Sequence, residues 1–108
     1  MAKVICFDID GVLTNESDSH HEDMPGTYVY RTPNFKAREV MAQSMEKGWT
    51  VILYTGRKEE QRRLTENWLA LHGFHYHFLF MNKPYYSIII DDRSKTLEEF
   101  RNLLNESS

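Results

Sequence analysis

The strongest constraint on how this chain folds is an apolar run that ends in two closely spaced acids. The run is V-I-C-F at residues 4–7; Asp8 and Asp10 follow it, separated by one residue, and Gly11 comes next. Four residues without polar alternation predict a strand buried on both faces, as in a parallel sheet. Two adjacent carboxylates repel each other, and a divalent cation that prefers oxygen ligands, such as Mg²⁺, relieves this repulsion. Gly11 favours a sharp turn after the strand.

Composition sets outer limits on the function. The chain has 108 residues, 41% of them hydrophobic and 27% charged, which is typical of one soluble globular domain. Its net charge of −3 gives no general attraction to nucleic acid or anionic membranes. No stretch is long and apolar enough to span a membrane. The single cysteine, Cys6, allows no internal disulfide and is expected to be a buried apolar residue, so we expect a cytoplasmic protein.

The rest of the chain alternates between helical and strand patterns. Predicted strands cover residues 49–54, 76–81 and 87–90, and predicted helices begin at Thr32-Pro33, at Lys58 and near Lys95. In the second helix, Leu64, Trp68 and Leu71 are predicted to face the sheet. This alternation indicates an α/β fold in which helices cover both faces of a parallel sheet of about four strands.

Residues 15–32 form a long polar segment between the first strand and the first helix, and we interpret it as a loop. It contains a cluster of possible metal ligands, His20-His21-Glu22-Asp23. Adjacent residues do not converge easily on one ion, so a solvated loop is the favoured interpretation.

Polar groups follow each predicted strand at its carboxyl end, where ligands bind in open parallel sheets. Asp8 and Asp10 follow the first strand, Thr55 the second and Lys83 the third, and the fourth is followed by Asp91 and Asp92. This shared placement predicts one functional site assembled at that edge of the sheet.

The same stretches resemble the four motifs of the haloacid dehalogenase (HAD) superfamily of phosphotransferases. They are F-D-I-D-G-V-L-T at Asp8, V-I-L-Y-T-G-R at Thr55, N-K-P at Lys83 and I-I-I-D-D-R at Asp91 and Asp92. The resemblance implies a Rossmann-like sheet in the order 3-2-1-4 with no cap domain. Residues 1–108 would form a single HAD-like domain, and the 15–32 loop would be a flap beside the active site.

The resemblance also implies a role for each of these residues. Asp8 would be the nucleophile that forms an aspartyl-phosphate, and Asp10 the general acid and base. Thr55 and Lys83 would contact the phosphoryl oxygens. Further substrate contacts are implied for three positions: the amides of Ile9 and Gly56, and Arg57. Mg²⁺ would be held by Asp8, the Asp10 carbonyl and the paired acids Asp91 and Asp92, with Asp92 as the favoured direct ligand.

The leading hypothesis from the sequence is therefore a Mg²⁺-dependent phosphatase. Its substrate would be a phosphorylated small molecule, such as a sugar phosphate or nucleotide, in preference to a nucleic acid. The resemblance extends to small capless HAD proteins that accompany capsule and sugar-nucleotide genes, and to polynucleotide 3′-phosphatase domains, which make 3′-end hydrolysis the alternative. HAD proteins often carry a further strand after the fourth motif, so this sheet would be minimal or completed in a homo-oligomer.

A hypothesis of another class is a non-catalytic module that responds to phosphate, such as a two-component receiver. Receivers also place acids, a hydroxyl residue and a lysine at strand ends. Their phosphorylated aspartate follows the third strand, however, and residues 76–81 contain no acid. A degenerate HAD protein that only binds phosphate is a further alternative, although no motif residue is missing.

Overall fold

The computed structural model describes residues 3–15, 31–84, 91 and 93–106. In chain order, their regular elements are β1 (Val4–Phe7), α1 (Phe35–Glu46), β2 (Thr50–Tyr54), α2 (Arg62–Leu71), β3 (Phe78–Phe80) and α3 (Leu97–Glu106). The predicted fourth strand at 87–90 lies outside the described residues, as does most of the predicted flap. No helix in the described part of the chain is long and apolar enough to cross a membrane.

The three described strands form a parallel sheet in the order β1-β2-β3. Phe7 on β1 is the register partner of Leu53 on β2, and Leu53 is the partner of Leu79 on β3. The predicted α/β fold is confirmed, and so is the 3-2-1 part of the predicted strand order.

The two faces of the sheet differ in burial, because successive side chains of a strand point to opposite faces. Phe7, Leu53 and Leu79 are buried in one core with residues of all three helices. On the opposite face Val4 is half exposed and Cys6 is exposed. The expectation that Cys6 is buried was therefore wrong, because Cys6 shares the exposed face with Val4. Among the described residues, the buried core lies on one face of the sheet only.

Helix α1 begins two residues later than its sequence pattern predicts. The cap is Asn34, whose side-chain oxygen accepts hydrogen bonds from the backbone N–H groups of Lys36 and Ala37. Pro33 instead forms an isolated antiparallel bridge with Thr14. This bridge brings the two ends of the 16–30 segment together at the base of the predicted flap.

Helix α2 is rotated relative to the prediction. Thr65, Trp68 and Leu69 are its buried residues, whereas Leu71 is 78% exposed. The indole of Trp68 fixes this rotation because its N–H donates to the carbonyl oxygen of Arg31 at 2.9 Å and its ring stacks on Phe74. The apolar spacing of leucines predicted the wrong stripe because it could not include this hydrogen bond.

Helix α3 begins with a reciprocal capping box that gives a stability prediction. The N–H of Thr96 donates to the Glu99 carboxylate at 2.9 Å, and the N–H of Glu99 donates to the Thr96 hydroxyl at 3.1 Å. Thr96→Ala should lower the free energy of unfolding by about 1 kcal/mol. Thr96→Ser keeps the capping hydroxyl, so it should lower the free energy of unfolding by much less. Urea unfolding at neutral pH measures both, and equal loss in the two variants would contradict the capping role.

The same box makes part of the stability depend on pH. The backbone N–H of Thr96, followed by its hydroxyl, lowers the pKa of Glu99 in the folded protein. A carboxylate with a lowered folded pKa stabilises the fold above its unfolded pKa, and this stabilisation is lost as the pH falls through the folded pKa. The stability difference between the wild type and Glu99→Gln should therefore shrink in acid.

Candidate active site

The two acids after β1 lie on a rigid turn. Residues Ile9–Leu13 form a tight turn that is not a regular helix: the backbone of Asp10 is extended, with a ψ of 122°, and Gly11 has a φ of +87°, a conformation that glycine adopts without strain. The N–H of Gly11 donates to the Thr14 hydroxyl at 2.9 Å, and the N–H of Thr14 donates to the Ile9 carbonyl at 3.1 Å. Because Ile9 and Leu13 are fully buried, the turn is anchored in the core.

Asp8 faces a groove of about 650 Å³ that Tyr54, Lys83 and Asp91 also line. One oxygen of the Asp8 carboxylate accepts a hydrogen bond from the Ile9 N–H at 2.9 Å, and the other lies 3.2 Å from the Lys83 ammonium group. The structure thus places the predicted nucleophile and the predicted lysine in contact. The Ile9 amide, predicted to bind substrate, donates to Asp8 in this structure.

Lys83 is positioned by the backbone that follows β3. Its N–H donates to the Thr55 carbonyl at 2.9 Å, and the preceding Asn82 N–H donates to the Arg57 carbonyl at 2.8 Å. Asn82 has a φ of +64°, a left-handed conformation that asparagine tolerates better than most residues. The Asn82 side-chain oxygen also accepts from the Glu59 N–H at 3.3 Å. These bonds tie the N-K-P motif to the T-G-R motif, so that the lysine reaches Asp8.

Asp10 is held by two buried arginines. The Arg57 guanidinium binds both carboxylate oxygens of Asp10, at 2.7 and 3.1 Å, and donates a third hydrogen bond to the Thr65 hydroxyl at 3.1 Å. Arg31 contacts the same carboxylate, and its Nε lies 3.6 Å from Asp10 Oδ1. The two-point contact with Arg57 fixes the orientation of the Asp10 carboxylate as well as pairing with its charge.

This arrangement changes the interpretation of Arg57, for which the motif resemblance implied substrate contact. Its side chain is almost fully buried and its guanidinium contacts Asp10 and Thr65. Arg31 is a residue that the sequence reasoning missed. It lies at the end of the predicted flap, and no local pattern connects it to an acid 21 positions earlier.

Thr55 and Gly56 occupy different environments. Thr55 is fully buried, its hydroxyl accepts from the Arg57 N–H at 3.2 Å, and it is not among the described residues that line the groove. Gly56 is exposed, and a Cβ added there would lie 3.6 Å from the Lys83 carbonyl oxygen, an ordinary contact. Lys83 therefore lies in the groove beside Asp8, whereas the Thr55 hydroxyl, predicted to contact the phosphoryl group, is bonded to the Arg57 backbone.

The described residues supply part of a possible metal site. Asp91 lines the same groove as Asp8, and one of its oxygens accepts a hydrogen bond from the Arg93 N–H at 2.8 Å. Asp92 lies outside the described residues, and within the residues that are described no group of three or more His, Cys, Asp or Glu could hold a metal. Asp8 and Asp91 are ligands of the type that Mg²⁺ takes, since this ion is often bound by one or two carboxylates with water and substrate phosphate.

Cys6 also lines the groove, but the raised pKa of its thiol argues against a role as nucleophile. Desolvation raises the pKa of its thiol, and this effect outweighs the nearby Lys83, which lowers the pKa. Asp8 raises it further. Because the thiolate is the reactive form, a raised pKa leaves the thiol inert at neutral pH.

Comparison with known proteins identifies the family. Residues 5–108 match the family described as PITM 1-3, LNS2 domain. The chain belongs to the LNS2 family. An LNS2 domain is a phosphatase domain with a HAD-like fold, which agrees with the four motifs found in the sequence. No curated protein matches the chain.

Solved structures show the same fold. An MCSG target protein from Vibrio cholerae superposes with a TM-score of 0.68 at 21% identity over 98% of this LNS2 chain and 99% of the other. A chain of the Pnkp1/Rnl/Hen1 complex gives a TM-score of 0.62 at 27% identity over 87% of this chain. A chain in a second structure, of the Pnkp1/Rnl/Hen1 RNA repair complex, gives a TM-score of 0.64 at 25% identity over 98% of this chain. The LNS2 chain spans 30% of each of the last two.

Proposed function

We propose that this LNS2 protein is a Mg²⁺-dependent phosphomonoesterase that works through a phosphorylated Asp8. The observation that carries the proposal is the Asp8 carboxylate facing an open groove with the Lys83 ammonium 3.2 Å away. The HAD-like fold and the phosphatase family support the same reaction class.

In the first step, an oxygen of Asp8 attacks the phosphorus of the substrate. A bond forms between that oxygen and phosphorus while the bond from phosphorus to the leaving oxygen breaks, and Asp10 gives its proton to this leaving oxygen. Lys83 stabilises the negative charge on the phosphoryl oxygens in the transition state. In the second step, a water molecule attacks phosphorus, its proton goes to Asp10, and the bond between phosphorus and Asp8 breaks.

In this structure both oxygens of Asp10 accept hydrogen bonds from Arg57, so one of these contacts must open for Asp10 to carry the proton that the first step transfers. The remaining contact would hold the carboxyl group in one orientation, and a fixed orientation is what proton transfer to a bound group requires. We therefore assign Arg57 and Arg31 as positioning residues. The Thr65 hydroxyl holds the Arg57 guanidinium from the side of α2.

The metal would be held by Asp8, the Asp10 backbone carbonyl and the acids at positions 91 and 92. The Asp10 side chain is engaged by Arg57, so a ligand role for Asp10 is assigned to its carbonyl group. When bound, Mg²⁺ would offset the repulsion between the Asp8 carboxylate and the substrate phosphate.

Hydrolysis of a chromogenic phosphate ester tests the reaction class. We expect phosphate release with Mg²⁺, loss of activity with EDTA, and recovery when excess Mg²⁺ is added. A screen of sugar phosphates, nucleotides and 3′-phosphorylated oligonucleotides would then find the natural class of substrate. Equal rates with and without EDTA would contradict the metal requirement. Tight binding of phosphorylated compounds without turnover would favour a non-catalytic module.

A second candidate function is a polynucleotide 3′-phosphatase. Its support is the similarity, at 25 to 27% identity, to a chain of an RNA repair complex. Preference for a 3′-phosphorylated oligonucleotide over every small phosphate ester would establish this candidate instead.

The role of Asp10 predicts a dependence on the leaving group. Asp10→Asn removes the proton donor while the Asp8 nucleophile stays in place, so poor leaving groups should suffer most. General acid–base catalysis contributes about 10²–10⁴-fold, and an activated aryl phosphate needs little of the acid's contribution in the first step. Rapid-quench trapping should therefore show more phosphoenzyme from the aryl phosphate than from a sugar phosphate. The phosphoenzyme is the same species from either substrate, and its hydrolysis should be slow in both cases. Equal phosphoenzyme formation with the two leaving groups would refute the assigned role.

A further inference from the structure

A row of aromatic side chains on the exposed face of the sheet begins beside the candidate active site. Tyr54 on β2 and Phe80 on β3 are register partners, and Phe78 lies two residues earlier on the same face. Tyr54 is 37% exposed, Phe80 51% and Phe78 55%. These three residues are called the aromatic row below.

The aromatic row is connected to the nucleophile through Lys83. The Lys83 ammonium lies 3.2 Å from Asp8 Oδ2 and 5.6 Å from the centre of the Tyr54 ring. The Asp8 carboxylate oxygen and the centre of the Tyr54 ring are therefore separated by no more than the sum of these two distances. A nucleotide-sized ligand with its phosphate on Asp8 has the length to place another ring against Tyr54.

The aromatic row by itself offers less area than a protein partner needs, and Val4 and Cys6 on β1 continue the same exposed face, so the choice of a small ligand rests on the connection to Asp8. A fully buried aromatic residue contributes about 150–250 Å², so three half-exposed rings offer roughly 300 Å². That lies in the ordinary range for the largest apolar patch of a monomer. A second copy of this chain would need about 800 Å² on each partner for a standard interface.

We infer that the aromatic row stacks on a planar ring in the leaving group, so that the substrate is an aromatic phosphomonoester such as a nucleotide. The inference rests on the proposed phosphomonoesterase function and narrows its substrate class. Aromatic side chains presented on a sheet face are a common platform for unstacked bases, because every base offers a flat face. The phosphate would contact Asp8 and Lys83. The ring would stack on Tyr54 and on the neighbouring Phe80.

The test compares two substrates that differ only in the ring, adenosine 5′-monophosphate and ribose 5-phosphate. The wild type should prefer the nucleotide in kcat/KM by about tenfold or more, the range that stacking of a base on an aromatic side chain supplies. Phe80→Leu keeps an apolar side chain of similar size and should remove most of that preference. Phe35→Leu, at an exposed phenylalanine of α1, is the matched control and should keep it.

A second pair of substrates distinguishes free nucleotides from the ends of nucleic acids. It consists of a 3′-phosphorylated dinucleotide and the same compound lacking its terminal base. Equal wild-type rates on ring-bearing and ring-free esters in both pairs would overturn the inference while leaving the phosphomonoesterase in place. Hydrolysis of none of the four compounds, nor of any other phosphate ester, would overturn both. If light scattering shows a dimer that Phe80→Leu dissociates without changing substrate preference, the aromatic row is a protein interface and the inference is wrong.

Discussion

Asp8→Asn should reduce phosphatase activity by at least about 10⁴-fold, because it removes the nucleophile on which both steps depend. The substitution keeps the shape of the side chain and its hydrogen bond from the Ile9 N–H, so the fold should be retained. It removes only the charge that faces Lys83. The loss should appear on good and poor leaving groups alike, in contrast to the Asp10 variant.

Two measurements check this prediction. Release of inorganic phosphate gives the rate, and intact-mass spectrometry after acid quenching shows whether a phosphoenzyme forms. Cys6→Ser is the matched control, since Cys6 lines the same groove and has no role in the proposed chemistry. It should keep wild-type activity. A phosphoenzyme in the Asp8→Asn variant would mean that another residue is the nucleophile.

Features of the fold that depend on neighbouring residues in the sequence could be predicted from it. The apolar run of β1 ends in the turn at Gly11, and this local pattern requires no knowledge of the rest of the chain. Ala37, Val40 and Met41 recur at helical spacing in the sequence, which indicates one apolar stripe, and all three are buried on α1. Both follow from backbone geometry that acts over a few residues.

Features that depend on distant contacts could not be predicted. Helix α2 buries Thr65 in place of Leu71, because the Trp68 indole bonds to Arg31, 37 residues earlier. Cys6 is exposed because one face of β1 is outside the core, and an apolar run does not show which face is covered. The predicted start of α1 at Thr32-Pro33 was wrong by two residues, because Pro33 pairs with Thr14 and Asn34 caps the helix instead.

The candidate site, like the fold, could be predicted from the sequence only in part. The motifs predicted that Asp8 and Lys83 belong to one site, and the structure brings their side chains into contact. They did not indicate what Arg57 contacts, since its partner Asp10 lies 47 positions away. An arginine in a T-G-R motif could equally face solvent, substrate or another side chain. Only the tertiary structure shows that its guanidinium faces Asp10.

Arg57→Ala should lower both stability and activity, and the form of the activity loss distinguishes the two possible roles of Arg57. Removing Arg57 leaves the partly exposed Asp10 with Arg31 alone and takes away the partner of the Thr65 hydroxyl, so the free energy of unfolding should fall by about 1–3 kcal/mol. Arg57→Lys restores the charge without the two-point contact and should recover part of the stability. Arg101→Ala, which removes an exposed pair with Glu98, is the control and should unfold much like the wild type.

For activity, a residue that positions Asp10 affects proton transfer and leaves substrate binding largely intact. We therefore expect Arg57→Ala to lower kcat with little change in KM, and to lower it more for a sugar phosphate than for an activated aryl phosphate. Arg57→Lys should show the same dependence on the leaving group in a weaker form. A side chain that bound the substrate phosphate, as the motif resemblance implied, would instead raise KM for both esters. A rise in KM without dependence on the leaving group would therefore mean that Arg57 binds the substrate. Arg31 would then be the residue that orients Asp10.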